Sequence, residues 1–147
     1  MLPDGNYLFA EPLIVARLRE KMPDVHVAGI GESDELSLTK HRFPGIYVLF
    51  AGDEVTGAAG RGAASQAVQH WIVTAAAKST DSLASGTKVR EILGRLFCQA
   101  LEALQGFEVA PGMTLVRTTC SVPVMYESGH AFLAAEYLLT VDIRGGN

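Results

Sequence analysis

Apolar and polar residues alternate most regularly near the end of the chain, in residues 131–144 (AFLAAEYLLTVDIR). From residue 137 onward every second residue is apolar, and the residues between them are mostly polar. The apolar side carries Tyr137, Leu139, Val141 and Ile143. A period of two residues is typical of a strand with one buried face. We therefore expect the other segments to pair with this strand or to cover it.

Two segments carry the three- and four-residue spacing of amphipathic helices. The first covers residues 11–22 and includes Pro12 in its first turn, where a missing N–H leaves no hydrogen bond unmade. The second covers residues 89–104, and Gly106 follows it in the usual C-terminal position. Gly94 lies inside the second helix, and we interpret it as a point of close crossing with another element.

Two β-rich runs predict a hairpin in the middle of the chain. Its strands are residues 46–50 (IYVLF) and residues 66–77 (QAVQHWIVTAAA). Residues 52–65 between them contain four glycines and no apolar pattern, so we predict a long flexible hairpin loop there. Such a loop is either a plain surface loop or a segment that orders on a partner. Neither face of the second strand is strongly polar, which favours coverage of both faces, one of them by another subunit.

Shorter strands are predicted at residues 25–30 and 113–119, with a bent connection or broken edge strand at residues 120–130. Residues 32–40 fit either an edge strand or a loop packed on the core. The order of elements indicates an α+β fold, with a single largely antiparallel β-sheet and two main α-helices packed mainly on one face. The length fits a single domain over residues 1–147.

The composition is that of a globular chain, with 48% hydrophobic and 19% charged residues. No apolar run reaches the roughly 20 residues of a membrane span, so we expect no membrane partner. The formal net charge is −4 and there is no basic run, which argues against specific nucleic-acid binding but allows DNA to slide past. Two cysteines are too few for a disulfide framework in a protein that we expect to fold in a reducing cytosol, and Cys98 is predicted to be a core residue.

The sequence contains none of the common motifs of nucleotide, zinc or hydrolase sites. Its four histidines stand singly, and the acidic cluster at residues 32–35 has polar flanks, as a solvated surface does. We therefore expect no enzymatic activity, no cofactor and no metal. An enzyme or small-ligand module stays open as the lesser alternative, and it requires a deep apolar pocket with converging polar groups.

Several segments together suggest a known family. They are the first helix ending at residues 22–23, residues 43–50 (FPGIYVLF), the glycine-rich segment, residues 69–73 (QHWIV), residues 103–107 (ALQGF) and residues 126–132 (YESGHAF). In this order of elements the chain resembles the phage tail terminator (tail-completion) proteins, of the type found in Mu-like phages. The resemblance covers most of the chain, and it is a pattern of elements more than a single motif. Residues 32–42 and the length of the segment 52–65 depart from it.

The resemblance implies a structural protein of the virion tail, assembled in the host cytoplasm, whose copies form a ring, most simply a hexamer. The ring caps the tail tube, ends its growth and forms the tail-side surface for head joining. Its partners are then other copies, the tail tube protein and the head–tail connector protein, while DNA passes through the ring. A head-completion or connector (neck) protein is the neighbouring alternative.

A ring-forming protein needs two complementary surfaces on each copy. We expect them on the sheet edges, on residues 52–65 and on the exposed side of the hairpin. The candidate interface residues are Asp53, Glu54, Arg61, Gln69 and Trp71. Trp71 is the single tryptophan of the chain, and a core position is its default reading.

Overall fold

The computed structural model describes residues 2–30, 43–78, 87–127 and 129–146, so the uncertain segment 32–42 lies outside the described residues. Its two α-helices are α1 (Ala10–Lys21) and α2 (Thr87–Leu104). The strands in chain order are β1 (His26–Ile30), β2 (Gly45–Ala59), β3 (Ala64–Lys78), β4 (Glu108–Ala110), β5 (Met113–Thr114), β6 (Val116–Thr118), β7 (Met125–Glu127) and β8 (His130–Arg144). Short 3-10 turns lie at Pro3–Gly5 and Gly60–Gly62.

The main sheet has the strand order β1-β2-β3-β8-β6, and β7 also pairs with β8. The pairing of β1 with β2 is parallel, and β2, β3, β6, β7 and β8 pair antiparallel. β3 and β8 pair along their whole length, from Ala64 beside Arg144 to Lys78 beside His130. The prediction of a largely antiparallel sheet with a long final strand is confirmed.

Both helices cover the same face of this sheet, as predicted. α1 lies against β1 and β2, and α2 lies across β3 and β8. Their buried apolar residues pack on alternate residues of the strands, and Trp71 and Tyr137 are the largest side chains in this core. Arg17 and Arg19 fix α1 in place, because their side chains donate hydrogen bonds to the backbone oxygens of Ala103 and Val27.

The opposite face of the sheet, called here the helix-free face, carries a second and smaller apolar cluster. Tyr47, Ala76 and Phe132 are buried there, with Leu49 packed against them. Alternation explains the two clusters, because Ile46 and its neighbours at every second position point toward the helices while Tyr47 points away from them.

The prediction of a flexible loop at residues 52–65 is wrong. β2 runs on to Ala59, β3 begins at Ala64, and only a tight turn at Gly60–Gly62 separates them. The backbone pairing of three adjacent strands holds the segment, since the end of β8 pairs with the start of β3. Register shifts interrupt β2 between Phe50 and Asp53 and between Val55 and Gly57, and the glycines lie at or near these bulges and in the turn.

Two expectations about α2 are also wrong. Gly94 is exposed, and an added Cβ would meet no atom within 4 Å, so it marks no close crossing. Cys98 is exposed as well, on the outer side of the helix. The expected C-terminal glycine is confirmed, because Gly106 has φ +68°, a conformation that favours glycine.

Candidate interface on the hairpin arm

The far end of the β2–β3 hairpin, together with the end of β8, forms a three-stranded ribbon that we call the arm (residues 51–66 and 142–144). Every residue of the arm is exposed or half-buried. Successive residues of β2 point to opposite faces, yet Glu54 and Val55 are both exposed, with Val55 at 72%. Neither face of the arm is therefore packed into the core at this point.

Hydrogen bonds, and not an apolar core, hold the arm together. The backbone of β3 pairs with β8 from Ala64 onward, and the Gly145 N–H donates to the oxygen of Ala63 at 2.7 Å. The side chain of Gln66 donates to Asp142 at 3.1 Å, which links β3 to β8. Strands that satisfy their backbone in this way need no apolar pattern to stay extended.

The N-terminal segment, which precedes α1, holds the root of the arm, meaning the part of β2 around residues 50–54 where the arm leaves the core. The hydroxyl of Tyr7 donates to the carboxylate of Asp53, and the Tyr7 ring meets the edge of Phe50 at 6.4 Å between centroids. Phe50 in turn lies 5.2 Å from the ring of Trp71. Burial, and then the hydrogen bond and negative charge of Asp53, raise the pKa of Tyr7 above its ordinary value.

Gln69 and Trp71 lie in the core beneath these contacts and have no exposed surface. The Gln69 side chain accepts a hydrogen bond from the indole N–H of Trp71 at 3.0 Å and donates one to the Tyr7 backbone oxygen at 2.7 Å. Because both side chains are buried, they do not fit a direct interface role. The core position expected by default for Trp71 agrees with the structure. Both instead support the root of the arm from inside.

Glu54 belongs to a polar group on the helix-free face that the sequence did not reveal. His70 lies between two carboxylates, with Nδ1 2.9 Å from Glu136 and Nε2 3.8 Å from Glu54. Glu136 is nearly buried, while the side chain of Glu54 is 75% exposed. No sequence spacing could predict the closer pair, because its members are 66 residues apart.

Arg61 lies at the tip of the arm, in the turn, with φ +59°. The structure thus brings Asp53, Glu54, Gln69 and Trp71 together at the root of the arm and separates Arg61 from them. Asp53, Glu54 and Arg61 are exposed and remain candidates for contact with a partner.

Two spaces among the described residues bear on the small-ligand alternative. A mainly apolar cavity of about 150 Å³ lies on the helix-free face beside Leu49, Ile72 and Phe132, below the roughly 300 Å³ at which ligand pockets usually begin. A cleft of about 340 Å³ separates the N-terminal segment from the end of β8. Within the described ranges no three His, Cys, Asp or Glu side chains are grouped to hold a metal ion. In the same part of the chain, no helix combines the length and apolarity that a membrane crossing requires.

Comparison with known proteins identifies the family. The family described as phage tail terminator protein matches residues 4–147, and no curated protein matches the chain. The chain therefore belongs to the phage tail terminator family, as its order of elements predicted. Membership gives the protein a structural role in the phage tail and a place in the virion tail. Its assignment to the Mu-like type stays a prediction.

Proposed function

We propose that the protein forms a ring of six copies on the last ring of the tail tube. The ring ends tube growth and presents the tail-side surface on which the head is joined. Its partners are other copies of itself, the tail tube protein and the head–tail connector protein, and it is assembled in the host cytoplasm. It needs neither a cofactor nor a catalytic residue for this role.

The arm is the observation that supports a ring. In a closed ring each copy contacts its two neighbours through two different surfaces, and these surfaces must lie on opposite sides of the copy. The arm offers such a pair, because β2 forms one of its lateral edges and β8 forms the other. Its exposure on both faces suits a segment that other subunits cover after assembly.

Electrostatics agree with a ring through which DNA passes. The chain has a net charge of −4 and no basic run, and like charge lets a polyanion pass without adhering. The arm carries Asp53, Glu54 and Asp142 against Arg61 and Arg144, so it offers no basic stripe. We propose no specific binding of nucleic acid.

The mass of the assembly tests the proposal. Light scattering over a concentration series, with and without purified tail tubes, is expected to show six copies of the 15.7 kDa chain, at least when tubes are present. Electron microscopy of the tubes should show the ring at one end. A chain that stays monomeric and unbound in the presence of tubes would contradict the proposal.

Phage lacking the protein distinguish a terminator from a head-completion or connector protein. Loss of a terminator is expected to give long tails of uncontrolled length, because nothing stops the addition of tube subunits. Loss of a connector would instead give separate tails of normal length and heads that leak DNA. Complementation with the unchanged chain should restore the normal length and serves as the control.

A further inference from the structure

We infer that neighbouring copies join edge to edge through their arms. The outer edge of β2 in one copy (residues 52–54) pairs with the outer edge of β8 in the next (residues 142–144), and Glu54 lies against Arg144 across this contact. This arrangement rests on the proposed ring and names the surfaces that close it.

Both edges lack a strand partner within the part of the chain that the structure describes. β1 pairs with β2 only as far as Leu49, and β6 pairs with β8 only as far as Leu138. Beyond these points the outward backbone N–H and C=O groups lie on exposed strands. Such groups form a ready template for another strand, and natural proteins cover or blunt them.

The strand directions fix the type of pairing. β2 and β8 are each antiparallel to β3, so they run parallel to each other within one copy. If the strands are tilted from the ring axis, as in a closed barrel, rotation about that axis keeps their sense and also staggers neighbouring edges. β2 of one copy therefore meets β8 of the next in parallel, and each copy can repeat the same contact until the ring closes.

The charged side chains at the two edges share one face of the sheet. Glu54 lies beside Val68 on β3, and Val68 lies beside Thr140 on β8. Arg144 follows Thr140 by four residues, so it points to the same side as Glu54. A stagger of four residues brings the opposite charges together, and strands of a closed β-structure are staggered in this sense.

Exposed apolar side chains are matched on the other face. Val55 lies beside Ala67, which lies beside Val141, so Val55 points to the same side as Ile143. Val55 is 72% exposed and Ile143 is 39% exposed. With Glu54 beside Arg144, these two apolar residues are diagonal neighbours, and their contact would remove both from water.

Both charged partners are available in the free copy. Arg144 makes no ion pair with any side chain in the described ranges. Glu54 approaches His70 at 3.8 Å, and its side chain is 75% exposed. The bulges of β2 interrupt its edge, which limits regular pairing to short stretches and discourages open-ended aggregation.

Charge reversal tests the contact. Glu54→Arg and Arg144→Glu each place like charges together. Each is expected to raise the dissociation constant of one contact between neighbouring copies by about tenfold, and with it the concentration at which half of the chains are assembled. The double variant E54R/R144E restores the attraction between neighbours and is expected to return assembly to within about threefold of the unchanged chain. Assembly is measured by light scattering, alone and on tail tubes, at low salt.

The pair Glu91 and Arg95 supplies a matched control. These residues form an exposed ion pair within α2, 2.9 Å apart, away from both edges. Glu91→Arg and Arg95→Glu carry the same charge changes as the test variants and are expected to leave assembly unchanged. Far-UV circular dichroism and urea unfolding confirm that every variant folds.

The outcomes separate this contact from the proposed function. Weakening by each single change and recovery in the double variant support the contact. Rings that form equally well in the single variants, or that the double variant fails to restore, overturn the edge contact and leave the terminator role intact. If the unchanged chain forms no ring, even on tubes, the proposed function itself fails. Hydrogen exchange gives a second readout, since amides of residues 52–54 and 142–144 should slow on assembly while those of α2 do not.

Discussion

Replacing Gln69 by leucine should destabilise the protein strongly, although the new side chain is apolar and similar in size. Gln69 is fully buried and accepts the hydrogen bond of the Trp71 indole N–H at 3.0 Å. It also donates to the Tyr7 backbone oxygen at 2.7 Å. The buried indole N–H that loses its partner costs about 1–3 kcal/mol and the half-buried Tyr7 oxygen less, so the two together give about 3 kcal/mol. For a chain of this length that lowers the melting temperature by about 10 °C.

Urea unfolding followed by tryptophan fluorescence measures the effect, because Trp71 is the single tryptophan and reports on this site directly. Gln66→Leu is the control, since Gln66 is exposed and bonds only to the exposed Asp142 and Thr56 among the described residues. It should change the free energy of unfolding by less than about 0.5 kcal/mol. An equal effect of the two substitutions would refute the reasoning.

A double substitution tests whether the bond to Trp71 is the cause. Trp71→Phe removes the donor that Gln69→Leu leaves unpaired, so the two changes should cost less together than the sum of their separate costs. We expect a coupling of about 1 kcal/mol, measured by circular dichroism because the variant lacks tryptophan. Strict additivity would show that the hydrogen bond contributes nothing.

Three further predictions concern single positions. The hydroxyl of Tyr137 is buried without a hydrogen-bond partner among the described atoms, so Tyr137→Phe should leave thermal stability unchanged or raise it by up to about 1 kcal/mol. Gly94→Ala should add about 0.5–1 kcal/mol to the free energy of urea unfolding, because the site is exposed, helical and open to a Cβ. Burial raises the pKa of Tyr137 above 10.0, although the charge of Arg117 lowers it. Burial and the nearby Asp53 likewise raise the pKa of Tyr7. A raised pKa stabilises the protonated folded state, so this stability is complete below about pH 10 and is lost as the pH rises through the folded-state pKa values. Urea midpoints should therefore fall at alkaline pH, and less steeply in Tyr137→Phe.

Much of the fold could be predicted because burial leaves a periodic trace in the sequence. β8, the inner parts of β2 and β3, and α2 all pack against the core, so their apolar residues recur at the spacing of a strand or a helix. The arm leaves no such trace, because water surrounds its side chains and only its backbone is paired. Its glycines and alanines looked like a loop for that reason.

The contacts at the root of the arm could not be predicted from the sequence for a different reason. Tyr7 and Asp53 are 46 residues apart, and His70 and Glu136 are 66 apart. Only the assembled sheet brings these polar groups together, and none of them carries a motif. The sequence did single out Asp53, Glu54 and Arg61, since they are the charged residues of a segment made mostly of glycine and alanine.

An arm that is already folded changes the energetics proposed for the ring. Ordering a flexible segment of 14 residues during assembly would cost roughly 15–30 kcal/mol of backbone entropy, at about 1–2 kcal/mol per residue. The pairing of residues 52–65 with their neighbouring strands removes most of this cost before any partner arrives. Ring closure then resembles the docking of preformed edges, which favours tight association from a modest contact area. Two hydrogen bonds, from Tyr7 to Asp53 and from Trp71 to Gln69, join the root of the arm to the core. A stable core therefore keeps the arm in the folded form that the ring requires.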